Sequence, residues 1–393
     1  MSESVSNLRL GRFVETPVAG EIVRAFVPPP LPPEPPIDVL ALLEQLSLAE
    51  RALGRLDGIT MLLPRQELFL YMYVRKEAVL SSQIEGTQST LSDLLRFETE
   101  AQAGQPIDDI REVSNYVDAM MYGLERLEDL PLSLRLIREI HARLLQNGRG
   151  GTKNPGEFRR SQNWIGGTRP GNALFVPPPP QQMDECLYAL ERFMHEEGSR
   201  LPALLKAGLL HVQFETIHPF LDGNGRIGRL LVTLYLCVKG VLRKPLLYLS
   251  LYLKTHRAAY YRLLQEVREH GAWEAWLDFF LTGVADTANQ AFEAATRIVD
   301  LFKEDRERIT TQSDRAGSAL RIHDLLQHNP FLTANLIVQK TGLSAPTVNA
   351  ALADLERFGI VEEITGRKRG RVFCYRHYIA ILNEGTDPLP TTA

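Results

Sequence analysis

The chain contains little cysteine: three residues in 393, scattered at positions 186, 237 and 374. This spacing provides neither a disulfide framework nor a zinc-binding pair. The longest apolar run, 230–238, is far shorter than the roughly 20 residues of a membrane span. The first residues lack a basic and apolar signal, and a net charge of −4 gives no overall attraction to nucleic acid or membrane. We therefore expect a cytoplasmic protein with no membrane partner.

Two common phosphate-binding patterns are also missing, Gly-x4-Gly-Lys-Ser/Thr and Gly-x-Gly-x-x-Gly after a strand. The chain has instead the run His-Pro-Phe-Leu-Asp-Gly-Asn-Gly-Arg-Ile-Gly-Arg at 218–229. Apolar residues with helical spacing flank this run on both sides, so we expect it at a turn between two helices.

The residue types in this run suit phosphate binding. Asp222 can hold Mg²⁺ jointly with substrate phosphates, because that ion retains much of its water. Gly223 and Gly225 let the backbone approach an anion closely. The free N–H groups and the dipole of the helix that follows favour negative charge at the same place.

The remaining polar residues of the run supply charge and a base. Arg226 and Arg229 lie three apart and share a helix face, and their guanidinium groups match phosphate oxygens. His218 has an ordinary pKa near neutrality, which suits removal of a proton from an attacking hydroxyl.

The run resembles the signature of the Fic family at every fixed position. The resemblance implies a mainly α fold, a helical core with a β-hairpin flap, and transfer of AMP from ATP to a Ser, Thr or Tyr hydroxyl of a target protein. It implies His218 as the general base, Phe220 as the loop anchor and Asp222 as the Mg²⁺ ligand. It also implies a phosphate cradle that consists of Gly223, Asn224, Gly225, Arg226 and Arg229. Glycine at 225, where related kinases have lysine, favours nucleotidyl transfer.

A second motif, Ser-Ser-Gln-Ile-Glu-Gly, occupies residues 81–86. On a helix Ser81 and Glu85 share a face, and Gly86 is suited to end it. By itself the pattern also fits an ordinary capped helix. Together with the first motif it resembles the inhibitory helix of Fic proteins with an N-terminal inhibitory segment, which implies that Glu85 pairs with Arg229 and blocks productive ATP binding.

Residues 156–176 contain two short runs around a turn rich in glycine, which predicts a hairpin. A surface ribbon without a function would look the same. The resemblance implies a flap that docks the target protein by strand addition.

Residues 316–378 predict a winged helix-turn-helix. The predicted helices cover 319–326, a segment from Thr333 to Gly342, and a segment from Ser344 to Gly359, and the wing strands cover 360–364 and 371–375. The wing carries basic side chains at 367, 368, 369 and 371, and Thr347 and Asn349 are placed to face a DNA groove. The third helix is rich in alanine and has acidic residues, so a dimerisation or docking role is an equal alternative.

The predicted organisation has six parts. They are an extended, proline-rich arm (1–36), a helical region with the inhibitory motif (37–130), a Fic-like catalytic core (131–285), a helical connector (286–315), the winged helix-turn-helix (316–380) and a tail (381–393). Three functions stay open: an adenylyltransferase restrained by Glu85, a related transferase of UMP or phosphocholine, and a DNA-binding regulator with the core as sensor. The target, self-modification and homodimer formation also stay open.

Overall fold

The computed structural model describes residues 9–62, 66–98, 107–146, 148, 150–196, 198, 200–367 and 370–390. Most of these residues are helical, and the sheets are small and antiparallel. The predicted mainly α fold with a small C-terminal winged-helix domain is therefore confirmed. Within the described ranges, no helix combines the length and the apolar composition that crossing a membrane would need.

The described residues before 313 form eleven α-helices. They are α1 (Leu43–Leu62), α2 (Gln66–Ile84), α3 (Leu91–Glu98), α4 (Ile107–Arg126), α5 (Leu134–Leu144), α6 (Pro180–His195), α7 (Ala203–Ile217), α8 (Asn224–Val238), α9 (Ser250–Thr255), α10 (Arg257–His270) and α11 (Trp273–Gln312). Helices α7 and α8 are buried on nearly all sides, as expected for central helices of a bundle. The core therefore holds both ends of the loop that joins them, 218–223.

Helix α11 runs without interruption over 40 residues and packs along α1. It begins inside the predicted catalytic core and passes through residue 285, where the predicted connector begins. The core and the connector therefore share one helix, and no structural break marks that boundary.

A β-hairpin forms within the predicted N-terminal arm, whose residues 1–8 lie outside the described ranges. Strands β1 (Arg12–Val18) and β2 (Glu21–Val27) pair in antiparallel fashion. Ala19 and Gly20 have φ values of 50° and 85°, so they form the two-residue turn whose twist matches that of the strands. The sequence analysis predicted only an extended arm here and missed the hairpin.

The C-terminal part has the predicted helix-turn-helix order with a three-stranded sheet. Its elements are α12 (Ala316–His328), β3 (Phe331–Thr333), α13 (Ala334–Thr341), α14 (Ala345–Arg357), β4 (Val361–Glu363), β5 (Val372–Tyr375) and α15 (Arg376–Asn383), with the strand order β3-β5-β4. The hydroxyls of Thr333 and Ser344 cap α13 and α14. Strand β3 and helix α15 were not predicted, and wing residues Lys368 and Arg369 lie outside the described ranges.

Candidate functional site

The loop between α7 and α8 holds the first motif in a tight turn. His218 ends α7 in the left-handed region, with φ 50° and ψ 60°, and its N–H donates to Phe214 O. Gly223, with φ 79°, adopts the same region just before α8 begins at Asn224. A non-glycine residue in this region is strained, so neighbouring groups must hold His218 there.

Arg159 provides this support by hydrogen bonding to backbone carbonyl groups. Its Nε donates to His218 O at 3.0 Å, and a terminal nitrogen donates to Pro178 O at 2.6 Å. Its own N–H donates to Pro219 O at 2.9 Å. The side chain is 2 % exposed, and burial lowers the pKa of Arg159 to about 10. The sequence analysis missed this residue because it contacts backbone carbonyls and forms no recognisable charge pattern.

Asn224 closes the loop internally. Its Oδ1 accepts from Phe220 N–H at 2.9 Å, and its Nδ2 donates to Phe220 O at 2.8 Å. The Asn224 side chain is therefore committed to the loop, and only its backbone N–H is left for the predicted phosphate cradle. Phe220 is fully buried and lies where the predicted loop anchor should be.

His141, on α5, was also missed by the sequence analysis. Its ring stacks on Phe220 with centroids 3.7 Å apart. Its Nδ1 accepts from Gly156 N–H at 2.8 Å, so the proton lies on Nε2, which donates to Asp222 O at 3.0 Å. Burial lowers the pKa of His141 to about 4, which keeps the ring neutral. His141 thus connects the base of the flap to the metal-ligand candidate.

The imidazole of His218 is neutral at physiological pH. Burial, followed by the charges of Arg268 and Arg159, lowers the pKa of His218 to about 4. Its Nδ1 has no hydrogen-bond partner among the described residues. A neutral ring with an unused nitrogen can accept a proton from a hydroxyl group.

Each arginine of the motif is paired with a carboxylate from an N-terminal helix. Arg226 lies 3.2 Å from Glu112 of α4. Arg229 lies 2.7 Å from Glu85, at the end of α2. Arg229 also donates from Nε to Ser81 Oγ at 2.9 Å and from a terminal nitrogen to Ser81 O at 3.0 Å. The structure therefore brings both predicted motifs together.

The electrostatics of the second pair favour the charged state of both groups. Burial by itself would raise the pKa of Glu85, but the Arg229 charge and hydrogen bond lower it below its ordinary value. Gly86, with φ 103°, follows the helix end. A Cβ atom at Gly225 would overlap Glu85 Oε1, so this glycine lets the carboxylate reach the start of α8.

A cavity of about 550 Å³ opens beside the pair. Its walls come from the second motif, the first motif, the flap and α10, and include Glu85, His218, Arg229, Leu174, Tyr260 and Arg268. One further wall residue is Glu215, whose Oε1 has no hydrogen-bond partner among the described residues. Burial raises the pKa of Glu215 to about 7. The cavity thus combines apolar side chains with Arg229, Arg268 and the carboxyl groups of Glu85 and Glu215.

The flap is less regular than predicted. Ile165 N–H donates to Phe175 O at 2.8 Å, and Phe175 N–H donates to Ile165 O at 3.1 Å, so its two arms meet in a single bridge. A short 3-10 turn at Pro170–Asn172 lies between the arms. The outer side of the second arm is already paired, because Phe26 N–H of β2 donates to Val176 O at 2.8 Å.

The fold and the loop define a helical protein in which a tight turn, followed by two arginines, joins two buried helices. Comparison of the sequence with models of known protein families is consistent with this fold. The Fic/DOC family N-terminal model matches residues 43–125, the Fic/DOC family model matches 131–236, and a winged helix-turn-helix DNA-binding model matches 317–362. The chain therefore contains a Fic domain with its N-terminal companion and a C-terminal winged helix-turn-helix domain.

Curated relatives carry the name protein adenylyltransferase Fic. The Aedes aegypti protein is 30% identical over 299 residues, which cover 71% of this chain and 56% of the relative. The Drosophila ananassae protein is 30% identical over 221 residues, which cover 53% and 41%. The chain spans about half the length of the curated relatives it matches.

Solved structures of Fic proteins share the fold. A Fic family protein from Desulfovibrio desulfuricans G20 superposes with a TM-score of 0.55 at 20% identity, covering 85% of this chain and 95% of that one. A Fic domain containing signaling protein from Bacteroides thetaiotaomicron has a TM-score of 0.50 at 20% identity, covering 64% and 96%.

Proposed function

We propose that the chain is a cytoplasmic protein adenylyltransferase that transfers AMP from ATP to a Ser, Thr or Tyr hydroxyl of a target protein or of itself. We also propose that Glu85 restrains the reaction by pairing with Arg229. The observation that carries this proposal is the 2.7 Å contact between these two residues, which are 144 positions apart in the chain. The names of the curated relatives support the reaction type.

The start of α8 would bind the phosphates. The first N–H groups of a helix have no intrahelical acceptor, and those of α8 follow Gly223 and Gly225, which leave the backbone uncovered. Arg229, at the end of the motif, would bind the terminal phosphates once Glu85 has moved away. Its planar guanidinium group can exchange one oxyanion for another without losing its charge partner.

The donor set at Asp222 fits Mg²⁺. Its Oδ1 accepts from Gly223 N–H at 2.6 Å, and its side chain is 29% exposed, which leaves Oδ2 as the available ligand. The described residues contain no group of three or more His, Cys, Asp or Glu side chains suited to a metal. A single carboxylate suits an ion that takes its other ligands from water and phosphates. When bound, the ion would neutralise charge on the triphosphate.

His218 would act as the general base. Its pKa of about 4 leaves the ring neutral at physiological pH and ready to take the proton of the target hydroxyl. The hydroxyl oxygen would then bond to the α-phosphorus as the bond to pyrophosphate breaks. Arg159 would contribute by fixing the backbone of His218, since misplacement by about 1 Å can cost roughly a hundredfold in rate.

The target segment would dock on the first arm of the flap. The N–H and C=O groups of Ile165 both point toward the second arm. The N–H and C=O groups of its neighbours, Trp164 and Gly166, therefore point toward the opposite edge of the first arm. That edge is the one available to an added strand, because β2 pairs with the second arm. Backbone pairing of this kind tolerates varied target sequences.

Five proteins test the restraint: wild type, Glu85→Gly, Glu85→Gln, Arg229→Ala and the double variant Glu85→Gly with Arg229→Ala. Glu85→Gly should raise AMP transfer, and Glu85→Gln is the matched variant that removes the charge at constant volume. Arg229→Ala should be inactive, because it removes a phosphate ligand as well as the clamp, and the double variant should resemble it. The readouts are radiolabel transfer from ATP and intact mass after incubation with ATP and Mg²⁺.

Labelled UTP and a phosphocholine donor separate the related transferase reactions in the same assay. If Glu85→Gly gains nothing over wild type with any donor, on itself or on proteins of a native lysate, the restraint is refuted. Transfer of UMP or phosphocholine alone would replace AMP as the transferred group.

DNA binding is a second proposed function, favoured by the winged helix-turn-helix match. Arg371 of the wing donates to Asn349 of α14 at 3.3 Å, so the wing and the third helix form one surface. A gel shift at several salt concentrations tests it. Absence of binding to duplex DNA at low salt would leave a docking or dimerisation role for this domain.

A further inference from the structure

The end of the inhibitory helix α2 is attached to a segment close to the C-terminus of the chain. We define residues 383–387, at and after the end of α15, as the C-terminal strap. Gln83 lies two positions before Glu85 and is 1 % exposed. Its Nε2 donates to Thr386 O at 2.7 Å and to Ser89 O at 2.9 Å. The amide thus connects the strap to both sides of the turn that contains Glu85.

Lys254 of α9 completes this junction. It is 6 % exposed, and its Nζ donates to Gln83 Oε1 at 2.8 Å, to Gly385 O at 2.9 Å and to Asp387 O at 2.5 Å. An ammonium group has three donors, and all three are used here. Two of its three acceptors belong to the strap, so displacement of the strap would leave a buried charge with one acceptor.

Further contacts fix the strap itself. Asn383 donates to Ser92 Oγ at 2.8 Å, at the start of α3. Glu384 accepts from both terminal nitrogens of Arg297 at 2.8 and 2.9 Å. Gly385 has φ 78°, and a Cβ atom there would lie 2.7 Å from Leu251 Cδ1. The strap therefore has one close-fitting position against α3, α9 and α11.

We propose that Lys254 and Gln83 are positioning residues for the restraint: with the strap they hold the end of α2 so that Glu85 stays on Arg229. This inference rests on the proposed function, and it makes the winged-helix domain a control element. Helix α15 leads directly into the strap, so a shift of α15 on engagement of that domain would withdraw two acceptors from Lys254. The end of α2 would then loosen and release Arg229 for phosphate.

Lys254→Met tests the inference, because it keeps the stem and removes the three donors. Lys206→Met is the matched control, since Lys206 is similarly buried but contacts Glu196 at the end of α6. We expect AMP transfer by Lys254→Met to rise about tenfold or more, a part of the roughly hundredfold that misplaced phosphates cost. Lys206→Met should not exceed wild type. A merely structural role for Lys254 would lower activity.

Gly385→Ala provides a second variant should Lys254→Met fold poorly. Its control is Gly342→Ala, which has a similar φ of 68° but nothing within 4 Å of the added Cβ atom. Gly385→Ala should raise transfer, and Gly342→Ala should not. Glu85→Gly combined with either strap variant should transfer no more AMP than Glu85→Gly alone, because both changes release the same arginine.

Hydrogen exchange at the amides of residues 84–87 gives a readout that does not need the reaction. We expect faster exchange there in Lys254→Met and Gly385→Ala than in their controls. If Glu85→Gly activates transfer but the strap variants do not, the inference is overturned while the proposed function stands. If Glu85→Gly gains nothing over wild type, the proposed restraint fails and the positioning role fails with it. Unchanged exchange at 84–87 would separately show that the strap does not hold the end of α2.

Discussion

Replacement of His141 by phenylalanine would separate the two contributions of this residue to the motif loop. Phenylalanine keeps a ring that can stack on Phe220, now 3.7 Å away between centroids. It removes the acceptor for Gly156 N–H and the donor for Asp222 O. The variant therefore tests hydrogen bonding while the packing is largely retained.

The loss of folding free energy follows from the two backbone groups, Gly156 N–H and Asp222 O, that this change leaves without their partner. A buried donor or acceptor left unpaired costs about 1–3 kcal/mol, so two cost roughly 2–6 kcal/mol. Both partners are only partly buried, and water can reach them, so we expect a value near the lower end. The effect on the rate of AMP transfer should be larger, because a shift of Asp222 displaces the metal-ligand candidate. Such misplacement costs about a hundredfold in rate.

Urea denaturation measures the free energy of unfolding, and AMP transfer by the Glu85→Gly background measures the rate across a Mg²⁺ titration. His270→Phe is the control, since His270 is exposed and pairs with the surface carboxylate of Glu266, and such a surface pair contributes less than about 1 kcal/mol. If His141→Phe equals the control in both stability and transfer rate, the positioning role is refuted.

Three further outcomes are expected. His218→Ala should abolish transfer, by about two to four powers of ten, while ATP binding persists, and the acid limb of the pH profile of kcat/KM, which reports the free enzyme, should follow a pKa of about 4 rather than 6.5. Burial raises the pKa of Glu77 to about 7 from 4.5, so this carboxyl destabilises the fold progressively as pH rises from 4.5 to 7. Denaturation at pH 4 and at pH 8 should therefore show that the free energy of unfolding of Glu77→Gln, relative to that of wild type, rises by about 3 kcal/mol between the two pH values, from 2.5 units at about 1.36 kcal/mol each. Alanine at Arg367, Lys368 and Arg369 should weaken DNA binding and reduce the slope of log affinity against log salt by about 0.9 for each phosphate that is no longer neutralised; an unchanged slope would exclude the wing from a DNA interface.

Contiguous patterns predicted the fold class and the turn between two helices at which the twelve-residue run lies. The twelve-residue run carries its chemistry within one loop and the first turns of the following helix, so its residue types indicate phosphate binding before any tertiary contact is known. The helix caps Thr333 and Ser344 are also local signals, and the structure has both as caps. The metal-ligand, base and target-docking assignments stay predictions.

The supporting residues could not be found in the same way. His141 contacts Asp222 across 81 positions, and Arg159 contacts His218 across 59. Both bind backbone carbonyls, which every residue offers, so no partner type in the sequence reveals them. The N-terminal hairpin was missed because its Ala19-Gly20 turn lacks the usual Asn-Gly or Asp-Gly signal and the proline run after it favoured an extended arm.

The two arginine–carboxylate pairs of the site both join a buried arginine to a glutamate, but they differ in how readily a phosphate can replace the glutamate. The side chains of Arg226 and Glu112 are 2% and 3% exposed, whereas Glu85 is 31% exposed and ends a helix. A phosphate can therefore replace Glu85 on Arg229 from the cavity side, and the guanidinium group keeps a counter-charge throughout. Removal of Glu112 would instead leave the buried Arg226 with the longer 3.5 Å contact to Asp222 Oδ1, and breaking a buried pair costs up to about 3–5 kcal/mol. Glu112→Gln should consequently lower the urea midpoint and give no gain in AMP transfer, whereas Glu85→Gln should raise transfer with little loss of stability. Activation by Glu112→Gln at unchanged stability would show that burial does not distinguish the restraining pair from the structural one.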